Sequence, residues 1–398
     1  MFGSQKPYSI EELKVQIDVY KALTDYLEND VFVTHRDWDG KDFYLAVKNA
    51  IDEVKKYIVK RGLNTGWEGD QYTWLEKILE VYDYYPEVIQ LGLMGKRSAA
   101  FRLFEEKIHP TLRFPFSTYR NLPGDPRFDR DNTLSGYRIR IGQDSYNANY
   151  SRPDLFHIPF ELNHLIGNNR FSLSGFPCLY MSNSIYGAWE ELNRPDIDKC
   201  FASKFNLQEL SFVDISMTPS EITSRLNNHV KFLEKQTRPL PAELVESFEH
   251  HLVDYLYIWP VILCCSFKVK NNSVFKPEYI FPQLVLEWIV SDYPGEYDGI
   301  KFLSTKSLAL EGHISVDAKS LAKNYVIPAR QYQSKGFCSE YTRKIAFTQP
   351  VNYAFHTLFG SSTAKADSDE DKGYKSTVFG VIEELLDKEE LKTLDEQN

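Results

Sequence analysis

Apolar side chains recur at helical spacing through the first 115 residues. The first stripe has spacings of three, four and seven, and consists of Ile10, Leu13, Ile17, Tyr20 and Leu27. Such spacings put side chains on one face of a helix. Ser9 and Glu12 form a capping-box pattern at its start. Similar periods recur at 43–57, 72–84, 88–94 and 99–108. The pattern therefore predicts an all-helical domain at 1–115.

The apolar pattern changes from helical spacing to short strand-like segments after a stretch rich in Pro, Arg, Asn and Asp. This stretch predicts a linker at 116–135. Residues 137–141 alternate like a strand. Residues 178–181 form an apolar run of strand length, followed by Ser182-Asn183-Ser184, whose side chains suit a helix N-terminus. The next eight positions, 185–192, have helical periodicity. A strand that leads directly into a helix is therefore expected here.

Later segments extend the second domain, predicted at 136–358. The continuous apolar run 261–267 predicts a strand buried on both faces. Residues 298–304 indicate a turn and a strand that ends in a hydroxyl, and 324–328 indicate another strand. Residues 359–398 are expected to be an acidic, partly disordered tail with a C-terminal helix. The fold class predicted from these patterns is α+β, with an all-helical domain followed by a mixed β core and flanking helices.

Composition narrows the functional classes. The chain has 398 residues and a net charge of −10, which gives no global electrostatic case for nucleic-acid binding. No apolar run approaches the roughly 20 residues needed to cross a bilayer, and the N-terminus lacks the apolar core of a signal peptide. The five cysteines form no C-x-x-C pair, so reduced thiols and no metal site are expected. These features predict a cytoplasmic protein.

Several common catalytic motifs are missing from the sequence. It contains no G-x-x-x-x-G-K-[ST], no G-x-G-x-x-G after a strand, no H-E-x-x-H and no G-x-S-x-G. Arg102 and His109, near the end of the helical domain, resemble the Arg/His pair of HEPN-type ribonucleases. That resemblance would imply RNA cleavage, and a structural role for both residues is the alternative.

Several short motifs follow one another in the second domain. They are Tyr137-Arg138, Asn168-Asn169-Arg170-Phe171, Gly175-x-Pro177-x-Leu179-Tyr180, a carboxylate ten residues after that tyrosine, and Asp298-Gly299-Ile300-x-x-x-Ser304. In this order they resemble the RES-domain toxins, a family named for its arginine, glutamate and serine, and the resemblance covers about 135–355. The order and intervals carry the resemblance, since each piece alone is weak. One departure is Asn168-Asn169, where the family usually has Gly-Gly.

Two neighbouring carboxylates compete for the family's glutamate position. Counting ten residues from Tyr180 favours Glu190, and Glu191 is the register alternative. Adjacent residues lie about 100° apart around a helix, so both cannot face one cleft equally.

The resemblance implies a fold like that of ADP-ribosyltransferases, a cleft for NAD⁺, and toxicity through consumption of NAD⁺. The residues that it assigns are catalytic Arg138, Glu190 and Ser304, and substrate-binding Arg170, Tyr180 and Tyr137. Their types suit the chemistry. A carboxylate can stabilise the positive charge that develops on the ribose, and arginines can bind a pyrophosphate with paired hydrogen bonds. A tyrosine can stack on nicotinamide, and a serine can position a hydrogen bond.

The reaction and its partners stay open at this level. NAD⁺ is expected as the substrate, and no metal is expected. If the nicotinamide–ribose bond is cleaved by phosphorolysis rather than hydrolysis, inorganic phosphate is a co-substrate. The resemblance also implies an Xre-type protein antitoxin, and homo-oligomerisation stays open. One alternative is a mono-ADP-ribosyltransferase that modifies a macromolecule. Another is a HEPN-like RNA-binding or RNA-cleaving protein with an inactive RES domain.

Overall fold

The structure is a computed structural model, and it describes residues 7–61, 71–118, 120–121, 134–142, 150–246, 249–269, 274–292, 295–306, 322–352 and 372–397. The chain divides into two compact units. The helical unit consists of 1–119 and 217–284, and the sheet unit consists of 120–216 and 285–398.

Helices and strands of the described residues are numbered in chain order. The helices are α1 (Ile10–Leu27), α2 (Phe43–Arg61), α3 (Gln71–Leu93), α4 (Arg97–Leu103), α5 (His109–Thr118), α6 (Arg152–Leu155), α7 (Ile185–Glu191), α8 (Pro219–Glu234), α9 (Ala242–Glu246), α10 (Glu249–Ser266), α11 (Ile280–Ser291), α12 (Ser339–Lys344), α13 (Lys372–Lys375) and α14 (Val378–Leu386). The strands are β1 (Arg120–Asn121), β2 (Ser135–Ile141), β3 (Cys178–Ser182), β4 (Cys200–Asn206), β5 (Phe212–Ile215), β6 (Gly299–Leu303), β7 (Lys323–Pro328) and β8 (Val351–Asn352).

The helical unit begins as the sequence predicts. Ser9 caps α1, because its backbone N–H donates to Glu12 Oε2 at 2.6 Å and its side chain accepts from the Glu12 N–H at 3.3 Å. A π-helical turn, Phe104–Ile108, joins α4 to α5. The helices expected in the N-terminal part are thus confirmed.

Buried hydrogen bonds join the two segments of the helical unit. The Tyr20 hydroxyl donates to the Val245 carbonyl at 2.5 Å, and the Tyr82 hydroxyl donates to the Leu256 carbonyl at 2.7 Å. The Trp259 indole donates to a carbonyl of the first segment at 2.8 Å. This unit is therefore larger than the predicted domain 1–115, because the chain returns to it at 217 after building part of the sheet.

The strand predicted at 261–267 is wrong, because α10 runs through Ser266. Every residue from Ile258 to Phe267 is buried. A continuous apolar run fits a helix buried on all sides as well as a strand buried on both faces, so its periodicity cannot separate the two. The helical pattern immediately upstream continues through the run.

The sheet unit holds one mixed sheet in the order β1-β5-β6-β7-β3-β2-β4-β8. The β5–β6 pair is parallel, and the other pairs are antiparallel. The α+β class is therefore confirmed. Within the described ranges, none of the helices is both long and apolar enough to cross a membrane.

Each face of the sheet has its own apolar cluster, because successive side chains of a strand point to opposite faces. One face buries Met181, Phe205 and Tyr325 in a large cluster. The other face buries Tyr137 and Ala202 in a second cluster with residues of α7 and α14. These two faces decide which candidate residues can meet.

The C-terminal helix α14 packs against α7 in the second cluster. Phe379 contacts the rings of Tyr186 and Trp189, with centroids 5.5 and 5.2 Å away. The predicted tail at 359–398 therefore ends in a packed segment, 372–397, while 359–371 lies outside the described residues. Of the predicted linker 116–135, residues 119 and 122–133 also lie outside them.

Candidate functional site

The strand–helix junction at the centre of the sheet is formed by β3 and α7, as predicted. The Ser184 side chain caps α7 by accepting from the Gly187 N–H at 2.9 Å. The short helix then ends in two consecutive carboxylates. The junction therefore fixes the positions of both Glu190 and Glu191.

Glu191 lies in a hydrogen-bonded cluster with side chains from two further segments. The Ser304 hydroxyl donates to Glu191 Oε1 at 2.5 Å, and the Asn324 side-chain amide donates to the same oxygen at 2.7 Å. Ser304 follows β6 directly, and Asn324 lies on β7 opposite Ser182 of β3. We call Glu191, Ser304 and Asn324 the carboxylate cluster. Two donors on one oxygen fix the position of this carboxylate.

Glu190 is placed differently. Only 2% of its surface is exposed, and its Oε2 accepts from Arg194 Nε at 2.7 Å. The structure therefore brings Ser304 to Glu191 and pairs Glu190 with an arginine four residues later. This arrangement supports the register alternative at the glutamate position.

The chain directly after α7 adopts an uncommon backbone conformation. Asn193 and Arg194 have φ angles of 62° and 59°, in the left-handed region that residues other than glycine seldom occupy. Lys306 Nζ donates to Asn193 Oδ1 at 2.7 Å. Backbone strain of this kind clusters at functional sites, because surrounding contacts must maintain it.

Arg170 lies beside the same segment as Ser304. Its Nη2 donates to the Thr305 hydroxyl at 3.1 Å, and 9% of its surface is exposed. Two contacts hold the loop that carries Arg170. The Tyr180 hydroxyl donates to the Phe171 carbonyl at 2.5 Å, and the Phe171 ring lies 4.4 Å from that of Phe302 on β6. Tyr180 thus positions the Arg170 loop, and burial raises the pKa of its phenol well above the usual value.

Tyr137 and Arg138 lie on opposite faces of the sheet. Tyr137 is opposite Ser182, which in turn is opposite Asn324, so Tyr137 shares the face of the carboxylate cluster. It is buried, and burial raises the pKa of its phenol. Arg138 points to the other face, while its Nη1 donates to the Tyr180 carbonyl at 3.0 Å.

The pairing of β2 with its neighbours does not bring all the predicted site residues into a single pocket. Ser304, Glu191 and Arg170 lie close together through Thr305, whereas the strand pleat directs Arg138 away from them. A Tyr-Arg pair in a strand can present only one of its side chains to each face. The catalytic role of Arg138 therefore stays a prediction, and a shared face does not support it.

Asn324 is the residue of the cluster that sequence reasoning missed. Its Oδ1 is buried, and no hydrogen-bond partner for this atom lies among the described residues. The available signal was weak, since a polar residue at the start of an otherwise apolar strand is common. Only the pairing of β7 with β3 brings this amide to Glu191.

The HEPN-like pair lies in the helical unit. Arg102 is exposed in the last turn of α4, and His109 begins α5 with its ring 6.4 Å from the Phe104 ring. The π-helical turn separates them along the chain. A role in RNA cleavage stays a prediction.

A cavity of about 520 Å³ lies elsewhere in the helical unit. It is lined by Lys77, Glu80, Val81, Tyr84, Glu106, Lys107, Pro110, Thr111, Pro115, Asp254 and Tyr257. Its two lysines and three acids offset one another and indicate no ligand class. We therefore place the candidate site at the carboxylate cluster, where polar groups from separate segments converge on one carboxylate. No group of three or more His, Cys, Asp or Glu suited to a metal ion occurs in the described part of the chain.

A curated protein of Bacillus subtilis (strain 168), named Putative toxin YopC, is 36% identical to this chain over 347 residues. The alignment covers 86% of this chain and 72% of that protein. The chain belongs to the YopC family. The name of this relative agrees with the toxin family expected from the motifs. No family model matches the chain, and no solved structure matches it significantly, so the RES assignment and the ADP-ribosyltransferase-like fold stay predictions.

Proposed function

We propose that the chain is a toxin-type enzyme that cleaves the nicotinamide–ribose bond of NAD⁺. The observation that carries the proposal is the convergence of Ser304 and Asn324 on one oxygen of Glu191. The other carboxylate oxygen, Oε2, has no partner within the described ranges, so it is available to a substrate. Membership of the YopC family supports the toxin part of the proposal.

The proposed chemistry needs a fixed negative charge. The bond between C1′ of the ribose and the nicotinamide nitrogen breaks, and its electron pair neutralises the pyridinium ring. The leaving group is then neutral and needs no proton. The remaining ribose has oxocarbenium character, which a fixed carboxylate stabilises. A water molecule or a phosphate ion adds to C1′, and water loses its proton to solvent.

Each nearby side chain has a proposed role in this reaction. Ser304 and Asn324 fix Glu191, whose Oε2 faces the ribose. Arg170 binds a phosphate group of the dinucleotide, since a guanidinium forms paired hydrogen bonds with phosphate oxygens. Tyr180 holds the Arg170 loop in place. Ser304 acts as a positioning group, because its hydroxyl donates to Glu191 and holds that carboxylate in place.

A cell that makes such an enzyme needs to restrain it. We propose a protein antitoxin of the Xre type as partner, from the resemblance to RES-domain toxins. The toxin name of the B. subtilis relative supports a partner of this kind.

Incubation of the purified protein with adenine-labelled NAD⁺ tests the proposal and separates its variants. Free ADP-ribose indicates hydrolysis, a phosphorylated ADP-ribose that needs added phosphate indicates phosphorolysis, and label on a macromolecule indicates transfer. We expect free product and its loss in Glu191→Gln. His109→Ala is the control and should leave consumption unchanged. Intact NAD⁺ with wild-type protein, in phosphate buffer and with cell extract, would overturn the proposal.

A further inference from the structure

The end of α7 and the segment after β6 are joined by side chains at two successive points. At the first point, Ser304 donates to Glu191 Oε1 at 2.5 Å. Two residues further along each segment, Lys306 Nζ donates to Asn193 Oδ1 at 2.7 Å, a contact that we call the outer bridge. The Lys306 N–H also donates to the Ser304 hydroxyl at 3.3 Å, which couples the two points. Two contacts fix the orientation of the two segments as well as their distance, which a single hydrogen bond does not.

The chain turns sharply after α7 to bring Asn193 to Lys306. The Asn193 N–H donates to the Glu190 carbonyl at 3.0 Å, and the Arg194 N–H donates to the Trp189 carbonyl at 3.1 Å, so the helix is closed by its own last carbonyls. Asn193 and Arg194 both have left-handed φ angles, 62° and 59°. Asparagine tolerates this conformation better than most residues do, and arginine does not. Two consecutive residues of this kind persist only where surrounding contacts maintain them.

Three side-chain hydrogen bonds hold this turn. The Trp189 indole donates to the Pro195 carbonyl at 2.8 Å, and Arg194 Nε donates to Glu190 Oε2 at 2.7 Å. The outer bridge is the third bond, and it holds Asn193. The Arg194 bond gives the buried Glu190 carboxylate a partner of its own. The turn therefore separates the two neighbouring carboxylates of α7, and only the second one reaches the segment after β6.

Asn193 supplies more than its backbone conformation requires. Glycine adopts positive φ readily and is common directly after a helix, so it would fit the backbone here at lower cost. It would provide no acceptor for Lys306. The Lys306 side chain is exposed, and an exposed hydrogen bond contributes little to folding because water can replace it. The outer bridge thus combines a strained backbone with a small contribution to stability, which favours a role in position.

We infer that Asn193 and Lys306 are positioning residues that hold Glu191 against Ser304, with Glu191 Oε2 toward the ribose. The inference rests on the proposed function for the reaction that Glu191 performs. Both residues act through Glu191 and not on the substrate. A displaced carboxylate stabilises the developing charge less, because the effect of a fixed charge depends on where it lies. The sequence motifs indicated neither residue.

Asn193→Gly separates a role in position from a role in stability. Glycine relieves the strained backbone, so the urea midpoint of unfolding should be at least that of wild type. Loss of the outer bridge should nevertheless lower kcat for NAD⁺ consumption about tenfold or more, with little change in KM. A role in folding alone predicts instead that activity follows stability. A parallel fall of kcat and midpoint in Asn193→Gly would therefore overturn the inference.

Substitutions of Lys306 test the other side of the outer bridge. Lys306→Met should lower kcat as Asn193→Gly does, and Lys306→Arg, which keeps a donor and the charge, should restore most of it. Lys344→Met is the matched control, because Lys344 of α12 is also an exposed lysine with a side-chain partner, Glu340. It should keep the wild-type kcat. Wild-type kcat in both Asn193→Gly and Lys306→Met would contradict the inference.

Hydrogen exchange followed by mass spectrometry tests the position of α7 without catalysis. Asn193→Gly and Lys306→Met should speed exchange about threefold or more in a peptide covering 185–195, and should leave peptides of the helical unit unchanged. This measurement decides if the wild type leaves NAD⁺ intact. In that case the proposed function fails, faster exchange still supports the outer bridge as the contact that fixes the end of α7, and unchanged exchange rejects it.

Discussion

At the scale of single residues, one carboxylate oxygen organises the candidate site. Glu191 Oε1 receives hydrogen bonds from the ends of two strands that are distant in the chain. Glu190, its neighbour, is buried in an ion pair with Arg194. The two glutamates therefore have different surroundings, and substitutions that preserve their shape test their proposed roles separately.

Glutamine substitutions at the two glutamates should have opposite effects. Glu191→Gln removes the charge proposed to stabilise the transition state, so we expect NAD⁺ consumption to fall by about 10²-fold or more with little change in stability. Glu190→Gln removes the charge of a buried glutamate whose partner, Arg194, is half-exposed, and should cost about 1 kcal/mol of unfolding free energy while activity persists. Denaturant titrations and initial rates measure both quantities. The reverse pattern would return the catalytic role to Glu190.

Asn324 offers a test of positioning through pH. Asn324→Asp would put a second carboxylate within hydrogen-bond distance of Glu191, and two such groups share a proton. We expect the acidic limb of the rate–pH profile to move to higher pH by one unit or more in Asn324→Asp, and by less in Asn324→Ala, which removes a donor but adds no charge. An unchanged profile in Asn324→Asp would mean that the amide only supports the fold.

At the scale of elements, α7 is fixed at both ends. At its C-terminus, Glu191 accepts from Ser304, which follows β6, and from Asn324 of β7. At its N-terminus, the Ile185 N–H donates to Glu383 of α14 at 2.7 Å. The Tyr374 hydroxyl donates to the same Glu383 oxygen at 2.7 Å. The C-terminal helix is thereby part of the support for the candidate site.

This anchor predicts a pH-dependent stability. Burial raises the pKa of Glu383 from 4.5 to about 7, so the folded chain binds more protons than the unfolded chain between these values. The contribution is complete below pH 4.5 and is lost as pH rises through 7. It amounts to at most about 3 kcal/mol. Urea titrations at pH 5 and pH 8 should show a smaller difference for Glu383→Gln than for wild type. The exposed Glu389→Gln is the control and should keep the wild-type difference.

At the scale of the whole molecule, the helical unit is discontinuous in sequence. Tyr20 and Tyr82 of the first segment donate to carbonyls of 242–266, and Trp259 of the second segment donates to a carbonyl of the first. Residues 1–119 alone would expose these apolar faces to water. We expect this fragment to lack a cooperative unfolding transition, as measured by circular dichroism with urea. A sharp transition in the isolated fragment would show that the predicted domain 1–115 folds by itself.

The sequence is most informative where the signal is local. The capping box at Ser9 and the strand–helix junction before Ser184 depend on neighbouring residues, and both were predicted correctly. Three features depend on distant packing: the helical state of 261–266, the contact of Ser304 with Glu191 rather than Glu190, and the face of Arg138. A continuous apolar run has no period that separates a helix from a strand. Adjacent residues of a helix point about 100° apart, so an error of one residue selects the wrong glutamate. Adjacent side chains of a strand point to opposite faces of the sheet. Asn324 reaches the site only through strand pairing.

The most direct test of the central claim is the cellular NAD⁺ concentration after induction of the chain in bacteria. We expect a steep fall, before growth stops, with wild type and with Glu190→Gln, and no fall with Glu191→Gln at equal protein levels. An unchanged NAD⁺ concentration in cells that make folded wild-type protein and stop growing would contradict the account.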